Sequence, residues 1–364
     1  MNILFTVWGM SYGGAERFVL NVVKELDKKN KIIVFSDNQK KGPLQEEFEK
    51  AGAKVYYAKV HRFKHPLKYM KQLKGIIKKE KIEIIHSNDD LNMVFPLAVK
   101  PREASFVAHS HSTKFRFTKG RFLSLIARKV LPPYISTHSD VRLCCGDDAG
   151  RAMFGRKDYV VIRNGINTGD FEYSKKVRKE LREKYGIDKD AVVMLNVGRL
   201  SKEKNQAFLI EVFKEYYNLH ANSYLVMVGD GPERDELKRI VLDSKASQRV
   251  IMLPSQNDIS RYYNMADVFL LPSVFEGMPT VSVEAQTNGL KCVFSDAVTK
   301  EADFSGRSTF LPLDLGAKEW AKRLSKMDLT RFQCDYGKIS EYDVGNCLRR
   351  LNNIYVELLH EENA

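Results

Sequence analysis

The run Ser273-Val274-Phe275-Glu276-Gly277-Met278-Pro279-Thr280-Val281-Ser282-Val283-Glu284 sets two carboxylates around a glycine and a proline, directly after the apolar stretch Val268–Pro272. That order reads as strand, loop and helix. Gly277 lets backbone approach a ligand with no Cβ in the way, Pro279 suits the first helical turn, and Gly289 suits the C-terminal cap. The N–H groups at such a helix start, with their partial positive charge, suit a phosphate or a sugar hydroxyl. Glu284 falls in the second turn among Val281, Val283 and Ala285, so its carboxylate needs partners. Two ribose hydroxyls would supply them; a local cap or salt bridge would also.

A second constellation, Asn196-Val197-Gly198-Arg199-Leu200-Ser201-Lys202-Glu203-Lys204-Asn205, ends another apolar run. Arg199 as a planar fork and Lys204 as a point charge suit a pyrophosphate leaving group. Charge grows on that group as its bond to a sugar breaks, so fixed cations there favour the transition state. The alternative is a basic loop with no ligand. Gly13-Gly14-Ala15-Glu16-Arg17 opens a helix and suits close approach to a phosphate or sugar, but it lacks the third glycine of the dinucleotide fingerprint, and Asp37 is a weak ribose acid. Ala108-His109-Ser110-His111-Ser112-Thr113 brings two histidines to a strand end, where either can bond a sugar hydroxyl or simply be satisfied in place. Neither has metal-ligand spacing.

The elements that must position these residues come in two series. Ile3–Val7, Lys31–Ser36, Lys54–Ala58, Ile82–His86, Ser105–His109, Val141–Cys145 and Tyr159–Ile162 read as strands, as do Val192–Val197, Tyr224–Val228, Val250–Leu253, Val268–Pro272 and Lys291–Ser295. Helical patterns lie between them, which predicts α/β architecture: two Rossmann-like, doubly wound domains with parallel sheets. The turn-rich stretch Asn164–Asp170 marks the break. The expected division is 1–168, 169–341, and a final helix within 342–364 whose stripe Val344, Leu348, Leu351, Ile354, Tyr355 and Leu358 must pack on something. A ligand then belongs at the carboxyl ends of both sets of strands.

At 364 residues the chain exceeds what one core usually supports. Its N-terminus shows no basic leader or small-residue cleavage site and reads as a first strand, and no apolar stretch approaches the length of a membrane span. Five cysteines, an odd number without metal spacing, lead us to expect free thiols in a reducing cytosol. The net charge of +13 is concentrated: residues 40–130 hold 21 Lys and Arg against 8 Asp and Glu. Such a face suits anionic lipid, a phosphorylated acceptor or nucleic acid. Zinc-finger spacing, aromatic stacking motifs and recognition-helix patterns are not evident, so a nucleic-acid-binding protein is the lesser reading and no nucleic-acid partner is expected.

Taken in order, these motifs resemble the retaining glycosyltransferases of family four, which have the GT-B fold. Glu276 and Glu284 stand at the family's paired-glutamate spacing. Val197-Gly198-Arg199-Leu200 with Lys204, Val228-Gly229-Asp230-Gly231-Pro232, Asn164-Gly165-Ile166 and Gly13-Gly14-Ala15-Glu16 fall in the family order. The resemblance implies two domains facing across a cleft, with the final helix crossing back to the N-terminal, acceptor-binding domain. It implies that Arg199 and Lys204 bind the donor diphosphate and Glu284 the ribose, that Glu276 with Gly277, Met278, Pro279 and Thr280 holds the donor sugar, and that His111 lies beside it. Gly13 and Gly14 join the donor site, and the base rests near Leu253. Family members need no metal or other cofactor and retain anomeric configuration, so transfer from a nucleotide diphosphate sugar without a side-chain nucleophile is expected. Asn167 departs from the aspartate many members carry.

The His-Ser-His run looks like that of bacterial capsule and exopolysaccharide members, implying a UDP-sugar donor and a lipid-linked saccharide acceptor. A nucleotide-sugar epimerase on the same fold is the other alternative. The implied location is cytoplasmic, peripheral on the inner face of the cell membrane. In His65–Lys79, Leu67, Met70, Leu73, Ile76 and Ile77 share one face with lysines opposite; the helix could lie on an anionic bilayer, or pack its apolar face on the sheet and turn only lysines outward.

Overall fold

The computed structural model describes residues 1–11, 13–26, 29–113, 115 and 121–361, with backbone alone at 121–123 and 361. The last three residues of the expected 342–364 segment lie outside them. The chain forms two compact units, Met1–Gly165 with Asp343–Ala364, and Ile166–Tyr342.

The first unit holds β1 (Asn2–Val7), β2 (Lys31–Ser36), β3 (Lys54–Tyr57), β4 (Ile84–Ser87), β5 (Ser105–Ser110), β6 (Val141–Cys144) and β7 (Val160–Val161). All are parallel, in the order β3-β2-β1-β4-β5-β6-β7. Ile3, Leu4 and Phe5 of β1 are wholly buried in succession, as a central strand covered on both faces requires. Strand order reverses between β1 and β4, so the loops after these two strands splay apart and leave a crevice at the carboxyl edge. The helix Gly14–Glu25 buries Phe18, Val19, Val22 and Val23. The final helix, Val344–Glu361, belongs to this unit: Leu348, Leu351, Tyr355 and Leu358 join the cluster that contains Ile3, Phe5 and Phe18.

The second unit holds β8 (Val192–Val197), β9 (Ser223–Val228), β10 (Val250–Leu253), β11 (Val268–Leu271), β12 (Lys291–Ser295) and β13 (Thr309–Leu311), parallel in the order β10-β9-β8-β11-β12-β13. Its reversal lies between β8 and β11. The half-buried Asp267, just ahead of β11, takes Arg178 at 2.5 Å and Arg182 at 2.7 Å and accepts the Val193 N–H at 2.8 Å, which ties the helix Lys175–Lys184 to the sheet.

The change of unit falls at Gly165/Ile166, three residues before the break expected after 168, and at Tyr342/Asp343, one residue after 341. Ile166 N–H donates to Tyr342 O at 2.9 Å, pairing the chain's entry to the second unit with its exit. β13 was not expected: three residues are too few for a periodic signal. Pro279 sits at the N-cap, one place before the first helical turn assigned to it. In the helix Pro66–Glu80, Tyr69, Leu73, Ile76 and Ile77 face inward, so its apolar face packs on the sheet and is not available to a bilayer. Among the described residues no helix is long and apolar enough to cross a membrane.

Candidate functional site

In the second unit the loops after β8 and β11 meet at the reversal of strand order. Arg199 and Lys204 leave β8; Ser273 and Glu276 leave β11. Lys204 forms an ion pair with Glu276 Oε1, and Ser273 Oγ donates to the same oxygen at 3.1 Å. Both side chains are mostly buried, Lys204 to 20 % exposure and Glu276 to 16 %, so the contact is made with little water around it. Backbone holds the two loops together as well: Val274 N–H donates to Glu203 O at 2.9 Å, and Asn205 Nδ2 to Pro272 O at 3.2 Å. Asn205 takes a left-handed backbone, φ 56°, at the start of the helix Gln206–Leu219, a conformation asparagine tolerates better than most residues. Arg199 is exposed, and no ion-pair partner holds its guanidinium among the described residues.

The glycine-rich turn after β9 supports this loop from behind. Leu200 N–H donates to Asp230 O at 3.0 Å and Glu233 N–H to Leu200 O at 3.2 Å. Gly229 has φ 152°, and a Cβ there would run into Gly198 O; a Cβ on Gly231 would run into Leu200 O. The Gly229-Asp230-Gly231 motif therefore lets two backbones touch. Asp230 also fixes the edge beyond β10, accepting Ser255 N–H at 2.9 Å, while Gly229 N–H donates to Leu253 O at 3.1 Å. Leu253, half-buried at the end of β10, lies on the same carboxyl rim.

Gly277, Met278 and Thr280 are half-buried and Pro279 buried in the turn that starts the helix Thr280–Thr287. The helix stops at Gly289, φ 79°, with Leu290 N–H on Ala285 O at 3.0 Å and Gly289 N–H on Gln286 O at 2.9 Å, the paired bonds of a left-handed C-cap. Glu284, one turn in, accepts the hydroxyl of the buried Tyr263 on Oε2 at 2.6 Å. Burial, then the neighbouring Glu284 charge, raises the Tyr263 hydroxyl well above its usual range and keeps it a donor. Sequence reasoning missed Tyr263 because a tyrosine in the apolar pattern of residues 259–265 reads as core.

His111, Gly13 and Gly14 belong to the first unit and gather at its own reversal, beside the ends of β1, β4 and β5. His111 Nε2 lies 2.9 Å from Asn88 Oδ1. A carbonyl oxygen accepts, so Nε2 carries the proton; burial lowers the ring's pKa to about 4, which leaves it neutral near pH 7. His109, wholly buried, is a core residue: its Nδ1 sits 3.1 Å from His86 Nε2, and His86 Nδ1 2.5 Å from Tyr355 OH on the final helix. Its ring packs 4.0 Å from that of His111. The glycine at 13 answers a local need, because Glu16 curls back onto the helix start and its Oε2 takes the space of a Cβ. Burial raises the Glu16 carboxyl to about 7. Asp37, weighed as a ribose acid, is ion-paired with buried Arg62, which also reaches Asp89 at 3.2 Å. Among the described residues no group of three or more His, Cys, Asp or Glu is arranged to hold a metal.

Comparison with known proteins follows the same division. Residues 12–170 match the family model Glycosyltransferase Family 4, and residues 177–304 match Glycosyl transferases group 1. The chain is 29 % identical over 339 residues to EpsF of Bacillus subtilis (strain 168), covering 89 % of this chain and 87 % of that one. It is 30 % identical over 243 residues to the Escherichia coli UDP-Gal:alpha-D-GlcNAc-diphosphoundecaprenol alpha-1,3-galactosyltransferase, covering 63 % and 62 % of the two chains. The crystal structure of Anabaena Alr3699/HepE in complex with UDP and glucose superposes with a TM-score of 0.78 at 18 % identity, over 98 % of this chain and 99 % of that one. Two family models that together span most of the chain, laid over two parallel-sheet Rossmann-like units, place this protein in glycosyltransferase family 4 as an enzyme of the GT-B fold.

Proposed function

We propose that the chain transfers a sugar from a UDP-sugar to a lipid-linked saccharide in capsule or exopolysaccharide biosynthesis, with retention of anomeric configuration and without a metal. The observation that carries the donor reading is the meeting of Lys204, Glu276 and Ser273 at the strand-order reversal of the second unit, with Arg199 exposed on the same loop. Arg199 and Lys204 take the diphosphate. Glu276 then exchanges its ion pair for hydroxyls of the sugar, which the turn Gly277–Thr280 also holds. Glu284, oriented by Tyr263, accepts the ribose hydroxyls. The base lies near Leu253. In the first unit, His111 is the candidate partner for a sugar hydroxyl, a neutral imidazole at that unit's own carboxyl edge.

In the step itself the bond from the anomeric carbon to the phosphate oxygen breaks, and the acceptor oxygen bonds to that carbon on the same face. The acceptor's proton passes to the departing phosphate oxygen. The two cations stabilise charge as it develops, which supplies the role a divalent metal would otherwise fill. The acceptor class is supported by the diphosphoundecaprenol-linked substrate in the name of the Escherichia coli relative. A cytoplasmic location, peripheral on the inner face of the membrane, accompanies such an acceptor.

Thermal unfolding with UDP, GDP or ADP in EDTA tests the donor assignment. UDP at about a hundredfold its dissociation constant should stabilise the second unit by about 2.7 kcal/mol, and Arg199→Ala or Glu284→Ala should abolish the shift. Variants that respond like the wild type would show that the nucleotide binds elsewhere.

A further inference from the structure

Arg331 lies beyond the helix Gly316–Leu324, in a half-buried stretch without regular structure. It makes no ion pair among the described residues, and carbonyl oxygens hold its guanidinium instead. Nη2 lies 2.8, 3.0 and 2.7 Å from the main-chain oxygens of Tyr263, Asn264 and Ala266; Nη1 donates to Asn288 O at 2.8 Å and to Asn288 Oδ1. These oxygens close the helices Ser260–Met265 and Thr280–Thr287, whose last carbonyls have no partner further along the helix. A planar fork of fixed donors meets both ends at once, and a cation suits the carbonyl end of a helix. Burial, then the neighbouring Arg178, lowers the Arg331 pKa to about 10, which leaves it charged near pH 7. Arg178 also caps the first of these helices, through Asn264, Met265 and Ala266 O, but does not reach the second. Asn288 Nδ2 adds a longer bond to Asn264 Oδ1, at 3.4 Å, and Phe332 N–H ties the Arg331 segment to Gly289 O at 3.1 Å.

The two clamped helices carry the two halves of the Tyr263–Glu284 hydrogen bond. Tyr263 is itself one of the clamped residues, and Glu284 lies one turn before Asn288, whose N–H donates to Glu284 O at 3.1 Å. The Tyr263 ring is wholly buried against Phe171 and Phe269, with centroids 5.6 and 5.9 Å away, so its hydroxyl moves only as its helix moves. That hydroxyl meets Glu284 Oε2 at 2.6 Å. Binding groups are sensitive to misplacement of about 1 Å, so the relative setting of the two helices decides where the carboxylate points.

We propose that Arg331 is a positioning residue for the donor: by clamping the ends of the two helices it fixes the Tyr263–Glu284 bond and aims the carboxylate at the ribose hydroxyls. This rests on the donor reading above and adds to it a residue from outside both donor-site loops. Arg331 acts without touching the nucleotide. Its effect is therefore on the preference for a ribose, while base and phosphates keep their own contacts.

Isothermal titration of the full chain in EDTA, with UDP and with its dideoxyribose analogue that lacks both ribose hydroxyls, tests this. The wild type should prefer UDP by about a hundredfold, the effect of two hydrogen bonds to a charged group. Tyr263→Phe, Arg331→Lys and Arg331→Gln should each cut that preference about tenfold by weakening UDP, with the analogue bound as by the wild type. Tyr263→Phe/Arg331→Lys should lose no more than the larger single loss, since both act through one carboxylate. Circular dichroism and the unfolding midpoint show which variants are folded, and either Arg331 variant suffices. Equal loss of affinity for both nucleotides, as a purely structural clamp would give, or an unchanged preference overturns the proposal. If Glu284→Ala removes the preference while the Arg331 variants keep it, the positioning role alone falls. If Glu284→Ala keeps it as well, the ribose assignment falls too.

Discussion

Glu276 serves two partners, Lys204 and Ser273, with the same oxygen. The two glutamates and the two cations were legible in the sequence because carboxylates and fixed charges beside glycine turns are unusual combinations. Their pairing was not, since Lys204 and Glu276 belong to loops of different strands and only the sheet order brings β8 beside β11. Tyr263 and Asn88 had no signal at all: each is an ordinary residue made specific by the group it orients. Glu16 gives a prediction at this scale. Its folded pKa, about 7, lies above the ordinary carboxylate value, so its contribution to stability is fully present below about pH 4.5 and is lost as pH rises through 7. Across that window the slope is about 1.4 kcal/mol per pH unit. Glu16→Gln should therefore gain on the wild type as pH rises from 5 to 7, read as the difference in urea midpoint for the first unit. A constant difference would mean that Glu16 is ionised throughout.

Strands were the most legible elements, because buried parallel strands are continuous apolar runs and their ends fall at turn residues. β13 escaped for want of length. The turn after β9 carries the element-scale prediction. Its glycines were read as part of a family motif, but the physical reason is contact of Gly229 with the backbone at Gly198. Gly229→Ala combines a strained φ of 152° with that collision, so it should cost about 1–3 kcal/mol and displace the Arg199 loop. We expect a lower midpoint for the second unit and weaker nucleotide binding together. A variant that loses stability and keeps its full nucleotide shift would separate the turn from the site.

At the scale of the molecule, the doubling of the α/β series was legible from the restart of the strand pattern, while the exact change of unit depended on the Ile166–Tyr342 hydrogen bond, which no local pattern encodes. The final helix returns to the first unit, and Tyr355 is its deepest anchor, wholly buried and bonded to His86. Tyr355→Ala removes a large aromatic side chain and leaves the His86 ring without that partner, a loss of about 3–5 kcal/mol. It should lower the first unit's transition and leave the second's, with its nucleotide shift, in place; one merged transition falling as a whole would refute this. The same return sets an order on synthesis. The second unit is a continuous stretch and can close before the helix Val344–Glu361 is made. The first unit waits with an open groove in its core until that helix emerges, so a nascent chain keeps the earlier-translated strands exposed while the later ones close.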